Sequence, residues 1–151
     1  MLADPPAAEC IGLAATPLAV RDALAGLAAA WRGRGIDPEL WDVAEQVLAE
    51  ALNNVVEHAQ AGREDGAIRL ETTLNGHGLV CEVLDDGAPM PGGTLPDGRP
   101  AELGTGLEDL PEGGFGWFMI RTLARRLSYH RDDGWNRLRF EVPHQTGDAV
   151  A

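Results

Sequence analysis

Two stretches in the first half of the chain carry apolar residues at the three- and four-residue spacing of amphipathic helices. The first begins at Thr16-Pro17, a helix cap followed by a proline in the first turn, and runs to about Trp31. The second begins in the same way at Asp37-Pro38 and continues to about Gln60. The apolar stripe of the first helix is Leu18, Leu24, Leu27, Ala28 and Trp31, and a polar row edges the second helix at Gln46, Glu50, Asn54 and His58.

Strand patterns flank these helices. A short apolar stretch at residues 9–15 precedes the first helix, and residues 67–74 and 79–84 are predicted to form a hairpin through Asn75-Gly76. Residues 128–131 and 137–142 are predicted to form a second hairpin around Asp133-Gly134. Between the hairpins, a third helix is predicted over about residues 115–127, with an inward face of Met119, Ile120, Leu123, Ala124 and Leu127.

The order of these elements predicts the fold class. Helices on one face of a sheet make an α+β fold, here a two-layer sandwich of a mixed, mostly antiparallel sheet covered on one face by three helices. The segment over residues 86–114 is rich in glycine and proline, and a loop of this length is typical of a lid or binding loop. No repeat or linker divides the chain, so we expect a single domain over residues 1–151, with an ordered core at about 9–142 and frayed termini.

Composition excludes several classes of function. The 151 residues include 12 basic and 24 acidic side chains, and this net charge of −12 disfavours binding to nucleic acids and to anionic membranes. All 12 basic residues are arginine, which excludes P-loop, eukaryotic-type kinase and pyridoxal phosphate sites because each needs a lysine. No apolar run reaches the length of a membrane span, and we expect a cytoplasmic protein.

The polar row on the second helix is the first candidate for chemistry. Glu50, Asn54 and His58 are spaced by four, which places a carboxylate, an amide oxygen and an imidazole along one face beside a cleft. Such a row can hold a hard cation and leave a base next to it. Taken alone, a polar stripe is more often a solvated helix face.

Two further patterns follow along the chain. Asp85 ends an apolar strand and is followed by Gly87, which places a carboxylate that only accepts hydrogen bonds at the floor of a cleft. Gly113, Gly114 and Gly116 lead into the third helix, where close backbone approach and free N–H groups favour a phosphate chain. Ordinary turns and loops contain either pattern, so the signal lies in the order of all three.

This order, E-x-x-x-N on a helix, D-x-G at a strand end and a glycine-rich lid that opens a helix, resembles the GHKL ATPases. The chain resembles in particular the anti-sigma factor serine/threonine kinases, the small single-domain branch of that superfamily. The resemblance covers about residues 9–142. It implies the Bergerat, or histidine-kinase-like ATPase, fold and a site for ATP and Mg²⁺.

The resemblance also implies a role for each motif residue. Asn54 would hold Mg²⁺ that bridges the ATP phosphates, and Glu50 would act as the general base on a partner's serine or threonine hydroxyl. Asp85 would recognise the adenine amino group, and Gly87 would allow its close approach. The remaining implied nucleotide contacts are His58, Pro89, Gly113, Gly114 and Gly116. Pro89 stands where many members of the superfamily have glycine, and it offers no N–H.

The implied partners are a STAS-type anti-sigma factor antagonist, which would be phosphorylated, and a sigma factor, which would otherwise be sequestered. The resemblance further implies a homodimer and a partner contact at Arg21 on the first helix. Arg99 and Thr105 are the lid's candidates for the γ-phosphate. A basic cluster either faces an acidic partner or balances local acid: Arg121, Arg125, Arg126, Arg131, Arg137 and Arg139.

Three alternatives stay open at this point. The chain is a non-catalytic ATP-binding module that captures partners without transferring phosphate, or a detached histidine-kinase catalytic domain that acts on a separate histidine protein. The third alternative is an α+β domain that binds no nucleotide. A phosphoprotein product distinguishes a kinase from a binding module, and acid lability of that product reveals a phosphohistidine.

Overall fold

The described residues form five strands and three α-helices, in the order that the periodicity predicts. The computed structural model describes residues 7–61, 63, 65–96 and 114–145. The sheet has the order β1-β2-β3-β5-β4, and every pairing in it is antiparallel. The predicted α+β fold is confirmed, but the described sheet is wholly antiparallel and not mixed as predicted, because β5 also runs antiparallel to β3. The elements are β1 (Ala7–Ala14), α1 (Pro17–Gly33), α2 (Pro38–Asn54), β2 (Ala67–Asn75), β3 (Gly78–Asp85), α3 (Gly114–Leu123), β4 (Arg125–Asp132) and β5 (Trp135–Pro143).

The first two helices begin at the predicted caps. The Thr16 hydroxyl accepts a hydrogen bond from the Ala19 N–H at 3.1 Å, and the Asp37 carboxylate accepts one from the Glu39 N–H at 3.0 Å. Each cap satisfies a backbone donor that the first helical turn leaves free, and the proline that follows has no N–H to satisfy. These starts fix where the helices lie along the sequence.

The helices and the sheet enclose one apolar core. Trp31, Trp41 and Phe140 are fully buried within it. The Trp31 indole N–H donates to the Thr72 hydroxyl at 2.8 Å, and that hydroxyl donates to the Glu9 carbonyl at 2.9 Å. This pair of bonds links α1 to the edge strand β1 and to its neighbour β2.

The second helix ends differently from its prediction. The α-helical hydrogen bonding of α2 stops at Asn54, and residues Val55–Ala59 form a π-helical turn in which the Gln60 N–H donates to the Val55 carbonyl. A π-helical turn has more residues per turn than an α-helix, so it breaks the spacing by four of the polar row beyond Asn54. The prediction of one helix to Gln60 is corrected to a helix with a π-helical end.

The third helix is shorter than predicted. It ends at Leu123 rather than near Leu127, and the chain continues as β4 from Arg125. A register shift lies between Arg125 and Ser128, and Arg126 takes a φ of +57° there. Leu123 and Leu127 are four apart and match helical spacing, but this bulge turns the second leucine toward the core from a strand.

Two smaller predictions are also corrected. Leu18 is 65% exposed, because it lies two positions before the buried Val20 and therefore on nearly the opposite face of α1. The β2–β3 turn consists of Gly76 and His77, since Asn75 itself pairs with Gly78. Within the described ranges, no helix has the length and apolar character that crossing a membrane would need.

Candidate functional site

A cavity of about 460 Å³ opens between the end of α2, the loop after β3, the start of α3 and the β4–β5 hairpin. Its walls are mainly apolar and carry a few polar side chains, which is the usual make-up of a small-molecule site. Four residues predicted from the sequence to bind nucleotide are among those that line it. The lining residues are Ala51, Asn54, Val55, His58, Ala59, Asp85, Ala88, Pro89, Met90, Pro91, Pro96, Trp117, Tyr129, Asn136 and Leu138.

Asp85 is the buried carboxylate of this cavity. It is the last residue of β3 and is only 3% exposed. Its Oδ1 accepts hydrogen bonds from the Gly87 N–H at 2.8 Å and from the Asn136 amide at 3.0 Å. Burial raises the pKa of Asp85, while these two bonds oppose that rise because they stabilise the ionised form.

The loop after Asp85 lies directly against the π-helical turn. The Ala88 N–H donates to the Ala59 carbonyl at 2.7 Å. A methyl group on Gly87 would overlap that same carbonyl, so glycine is required there by the closeness of the two backbones. The end of the second helix and the D-x-G loop are thereby joined into one wall of the cavity.

The start of α3 approaches Glu50 and Asn54; Asn54 lines the cavity, whereas Glu50 and Gly116 lie beside Asn54 and are not among the lining residues. A Cβ atom on Gly116 would lie 2.6 Å from Glu50 Oε2 and 3.8 Å from Asn54 Nδ2. The Asn54 Nδ2 atom is buried and has no hydrogen-bond partner among the described residues. A buried amide without a partner is costly, so its presence at a cavity favours a polar ligand there.

Asn54 and Glu50 suit a magnesium ion that also binds the phosphates of a ligand. The part of the chain that the structure describes contains no group of three or more His, Cys, Asp or Glu side chains able to hold a metal by themselves. Mg²⁺ commonly takes only one or two protein oxygens and completes its shell with water and substrate phosphates. The Asn54 amide, with the Glu50 carboxylate nearby, fits that smaller protein share.

Three polar residues of the site come from the last hairpin, and none of them is predicted as a site residue from the sequence. Tyr129 and Asn136 line the cavity, and Arg131 donates to the Gly87 carbonyl at 2.9 Å. Asn136 is 51 residues from Asp85 in sequence but is its cross-strand partner in the β3–β5 register. Only the register of β3 against β5 identifies such a partner, and the residue pattern of a single hairpin does not give that register.

The other predicted residues have varied positions. His58 lines the cavity, but its side chain is 58% exposed because the π-helical turn moves it out of line with Glu50 and Asn54. Gly114 is the first residue of α3. Arg21 is exposed on α1 and does not line the cavity, so its partner contact stays a prediction. Gly113, Arg99 and Thr105 lie outside the described residues.

The basic cluster is mostly paired within the chain. Arg125 and Arg126 lie 2.7 and 3.9 Å from the buried Glu141 carboxylate. Arg137 and Arg139 lie 3.2 and 2.9 Å from Glu82 on the neighbouring strand. Of the two explanations left open by the sequence, these ion pairs favour the balance of local acid for four of the six arginines.

Comparison with known proteins decides the family. The profile of the histidine kinase-like ATPase domain matches residues 13–142, which run from the end of β1 to the next-to-last residue of β5. The chain belongs to the histidine kinase-like ATPase family. The resemblance to the GHKL ATPases that the three motifs indicate is thus confirmed.

Within this family, the chain is similar to bacterial protein kinases. It is 35% identical over 89 residues to the serine/threonine-protein kinase BtrW of Bordetella bronchiseptica, a match that covers 59% of this chain and 61% of the relative. It is 34% identical over 88 residues to the serine-protein kinase RsbW of Listeria innocua, which covers 58% of this chain and 56% of the relative. The matched segment therefore spans less than two thirds of either relative.

A solved structure is also similar to this chain. It is the histidine kinase domain of a blue-light activated histidine kinase from Erythrobacter litoralis. The identity is 19% and the TM-score 0.45, and the match covers 70% of this chain and 45% of that one.

Proposed function

We propose that the protein is an ATP-dependent serine/threonine kinase that phosphorylates a STAS-type anti-sigma factor antagonist and otherwise sequesters a sigma factor. The observation that carries the proposal is the meeting of Glu50, Asn54 and Gly116 beside a cavity that ends at the Asp85 carboxylate. Membership of the ATPase family and the kinase names of two relatives support it. Arg21 as a partner contact, and a homodimer, belong to the same proposal.

The adenine base would bind at the Asp85 end of the cavity. An ionised carboxylate only accepts hydrogen bonds, so it suits the exocyclic amine of adenine. The walls near Asp85 are apolar and include Met90 and Leu138, which suits a flat, weakly polar ring. Gly87 and Pro89, both predicted from the sequence, belong to the loop that borders this end.

The phosphates would bind at the opposite side, between Asn54 and the start of α3. The free N–H groups in the first turn of a helix favour negative charge, and Gly114 lets a ligand approach that backbone closely, while Gly116 leaves room for the Glu50 carboxylate beside it. Mg²⁺ bound with the Asn54 amide oxygen would neutralise charge on the phosphates. The buried Asn54 Nδ2 that has no partner in the described chain is a donor available to the same ligand.

Glu50 would supply the base for phosphoryl transfer. Its carboxylate would take the proton of a partner's serine or threonine hydroxyl as the hydroxyl oxygen forms a bond to the γ-phosphorus. The bond between the γ-phosphorus and the bridging oxygen breaks, and ADP leaves with the electron pair. A binding module needs no base at this position, so the closeness of Glu50 to Gly116 favours catalysis over the non-catalytic alternative.

The nucleotide site is tested by calorimetric titration of the purified protein with Mg·ATP, after removal of any co-purified nucleotide. Asp85→Asn should weaken binding at least about tenfold, because an amide presents a donor as well as an acceptor to the adenine amine. The exposed Asp42, changed to Asn, is the matched control and should bind as the wild type does. Equal affinity of Asp85→Asn and the wild type would remove Asp85 from base recognition.

The kinase activity is tested with γ-labelled ATP and purified STAS-domain proteins of the same organism. Glu50→Gln should bind ATP as the wild type does and transfer phosphate about 10²- to 10⁴-fold more slowly, since it lacks a proton acceptor. Glu45→Gln on the same helix is the control and should transfer normally. An acid-labile product would indicate a histidine kinase instead, and tight ATP binding without any phosphoprotein would indicate a binding module.

A further inference from the structure

We infer that Arg131 is a positioning residue for base recognition, which acts through Asn136 to hold the Asp85 carboxylate as an acceptor that faces the cavity. The inference rests on the proposed function for the identity of the ligand. By sequence alone, Arg131 belongs to the basic cluster and has no role in the site. Unlike its four paired neighbours in that cluster, Arg131 has no carboxylate within ion-pair distance among the described residues.

The hydrogen bonds from Arg131 to Asp85 all run in one direction. Arg131 Nη1 donates to Asn136 Oδ1 at 2.9 Å, and Asn136 Nδ2 donates to Asp85 Oδ1 at 3.0 Å. A guanidinium group has donors only, so the oxygen of the Asn136 amide must face it. The amide nitrogen must then face Asp85, and it requires an acceptor there. Arg131, together with the Tyr129 hydroxyl that also donates to Asn136 Oδ1, therefore fixes which atom Asn136 presents to the carboxylate.

This chain of donors leaves one carboxylate oxygen for a ligand. Asp85 Oδ1 already accepts from Asn136 and from the Gly87 N–H at 2.8 Å. In the described part of the chain, no protein donor reaches Oδ2. An ionised Oδ2 accepts a hydrogen bond from the amino group of a 6-aminopurine. The carbonyl oxygen of a 6-oxopurine is itself an acceptor and cannot donate to Oδ2. The discrimination between the two bases thus depends on Asp85 staying ionised.

Arg131 and Asn136 also hold the loop that borders the base. Arg131 Nη1 donates to the Gly87 carbonyl at 2.9 Å, and Asn136 Nδ2 donates to the Ala88 carbonyl at 2.9 Å. The Tyr129 hydroxyl donates to Asn136 Oδ1 at 2.5 Å and accepts from the Met90 N–H at 2.9 Å. Pro89 has no N–H of its own to tie this loop down, so the hairpin side chains do so on either side of it.

The charge of Arg131 acts in the same direction as its hydrogen bonds. Burial raises the pKa of Asp85, and the neighbouring Asp86 carboxylate raises it further. The Asn136 and Gly87 bonds and the Arg131 cation oppose that rise. The other titratable groups that line the cavity are His58 and Tyr129. Loss of Arg131 removes a cation that lowers the pKa of Asp85.

Arg131→Met tests the inference first in the nucleotide-free protein. The control is Arg137→Met, which removes the same charge from the same hairpin but breaks a bond to Glu82 instead. The pKa of Asp85 is read from the pH dependence of its carboxyl ¹³C resonance. All three proteins also carry His58→Gln, which removes the imidazole that lines the same cavity. We expect a higher pKa of Asp85 in Arg131→Met than in the wild type and in Arg137→Met. An Asp85 titration identical in all three would overturn the inference.

The second measurement is the affinity for Mg·ATP and Mg·GTP. Arg131→Met should bind ATP about tenfold more weakly than the wild type does and should show a smaller ratio of ATP to GTP affinity. As the pH is lowered, the ATP affinity of Arg131→Met should begin to fall at a higher pH than that of the wild type, because Asp85 becomes protonated at a higher pH in the variant. A merely structural defect would lower the affinity equally at every pH. If the wild type binds no nucleotide, the proposed function fails and the base-positioning role with it. If only the titration is unshifted, this inference fails alone.

A thermal melt of each variant shows whether it folds. Arg131→Lys is the conservative variant, because it retains the charge but not the planar, multi-donor geometry of arginine. It should restore most of the wild-type pKa of Asp85 while restoring less of the ATP affinity. A folded Arg131→Lys protein in which neither the pKa of Asp85 nor the ATP affinity moves back from its Arg131→Met value would contradict this expectation.

Discussion

Two glycines of the site are required because oxygen atoms of neighbouring residues occupy the space that a Cβ atom would fill. Gly87 leaves room for the Ala59 carbonyl, and Gly116 leaves room for the Glu50 carboxylate. Neither has a positive φ among the backbone angles of the described chain, so the requirement is space and not backbone freedom. The sequence motif marks both positions, but only the structure names the neighbour that each glycine accommodates.

Gly116→Ala tests this explanation. The added methyl group would displace the end of the flexible Glu50 side chain, from which it would lie 2.6 Å. We expect the fold to persist, with a free energy of unfolding within about 1 kcal/mol of the wild type, because alanine favours the helix. Phosphoryl transfer should fall about tenfold or more, since a misplaced base costs rate. Stability is measured by urea unfolding and transfer with labelled ATP.

Gly26→Ala in α1 is the matched control for that variant. No heavy atom lies within 4 Å of the added Cβ there, so the change should raise the free energy of unfolding by about 0.5–1 kcal/mol and leave transfer unchanged. A Gly116→Ala protein that transfers phosphate at the wild-type rate would contradict the close approach of Glu50.

At the residue scale, the sequence predicts the positions of one half of the site. Glu50, Asn54, Asp85 and Gly87 carry local signals, since helical spacing and a strand end place them without further information. Asn136 and Tyr129 carry none, because their contacts with the D-x-G loop depend on the pairing of β3 with β5. A side chain that acts across a sheet is visible only once the register is known.

At the scale of elements, the helix starts were predictable, but the ends of α2 and α3 were not. The caps at Thr16 and Asp37 are local hydrogen bonds that a sequence encodes directly. The end of α3 has no glycine or proline, and the bulge at Arg126 that ends the helical run depends on the pairing of β4 with β5. The π-helical turn after Asn54 likewise has no local sequence signal.

Thr16→Ala tests the cap of α1. Loss of the hydroxyl leaves the Ala19 N–H without its partner, so the free energy of unfolding should fall by about 1 kcal/mol. Thr16→Ser keeps the hydroxyl and should retain most of the wild-type stability. Both values come from urea unfolding. An equal loss in the two variants would show that the methyl group of Thr16, and not its hydroxyl, stabilises the helix.

At the scale of the whole molecule, the helix layer is attached to the sheet by apolar packing and by one buried polar link. The link runs from the Trp31 indole to Thr72 and on to the Glu9 carbonyl. Both Trp31 and Thr72 are almost completely buried, so water cannot replace the bonds if one partner is lost. Periodicity predicted the two layers, but not this link.

Thr72→Val tests the link. Valine has nearly the shape of threonine but neither donates to the Glu9 carbonyl nor accepts from the Trp31 indole, which leaves a buried donor unsatisfied. We expect the free energy of unfolding to fall by about 1–3 kcal/mol, measured by urea unfolding. Thr72→Ser preserves the hydroxyl and should lose less. A Thr72→Val protein as stable as the wild type would show that the bonds contribute nothing net.

The strand order also bears on how the protein folds. The hairpins β2–β3 and β4–β5 are each closed by a two-residue turn, so their pairing is local and fast. Pairing β3 with β5 brings together Asp85 and Asn136, which are 51 residues apart, and carries a larger loop-closure entropy. The polar contacts of the candidate site join residues on the two sides of this β3–β5 pairing. We therefore expect the cavity to be assembled in the slow, non-local phase of folding, after the β2–β3 and β4–β5 hairpins have formed.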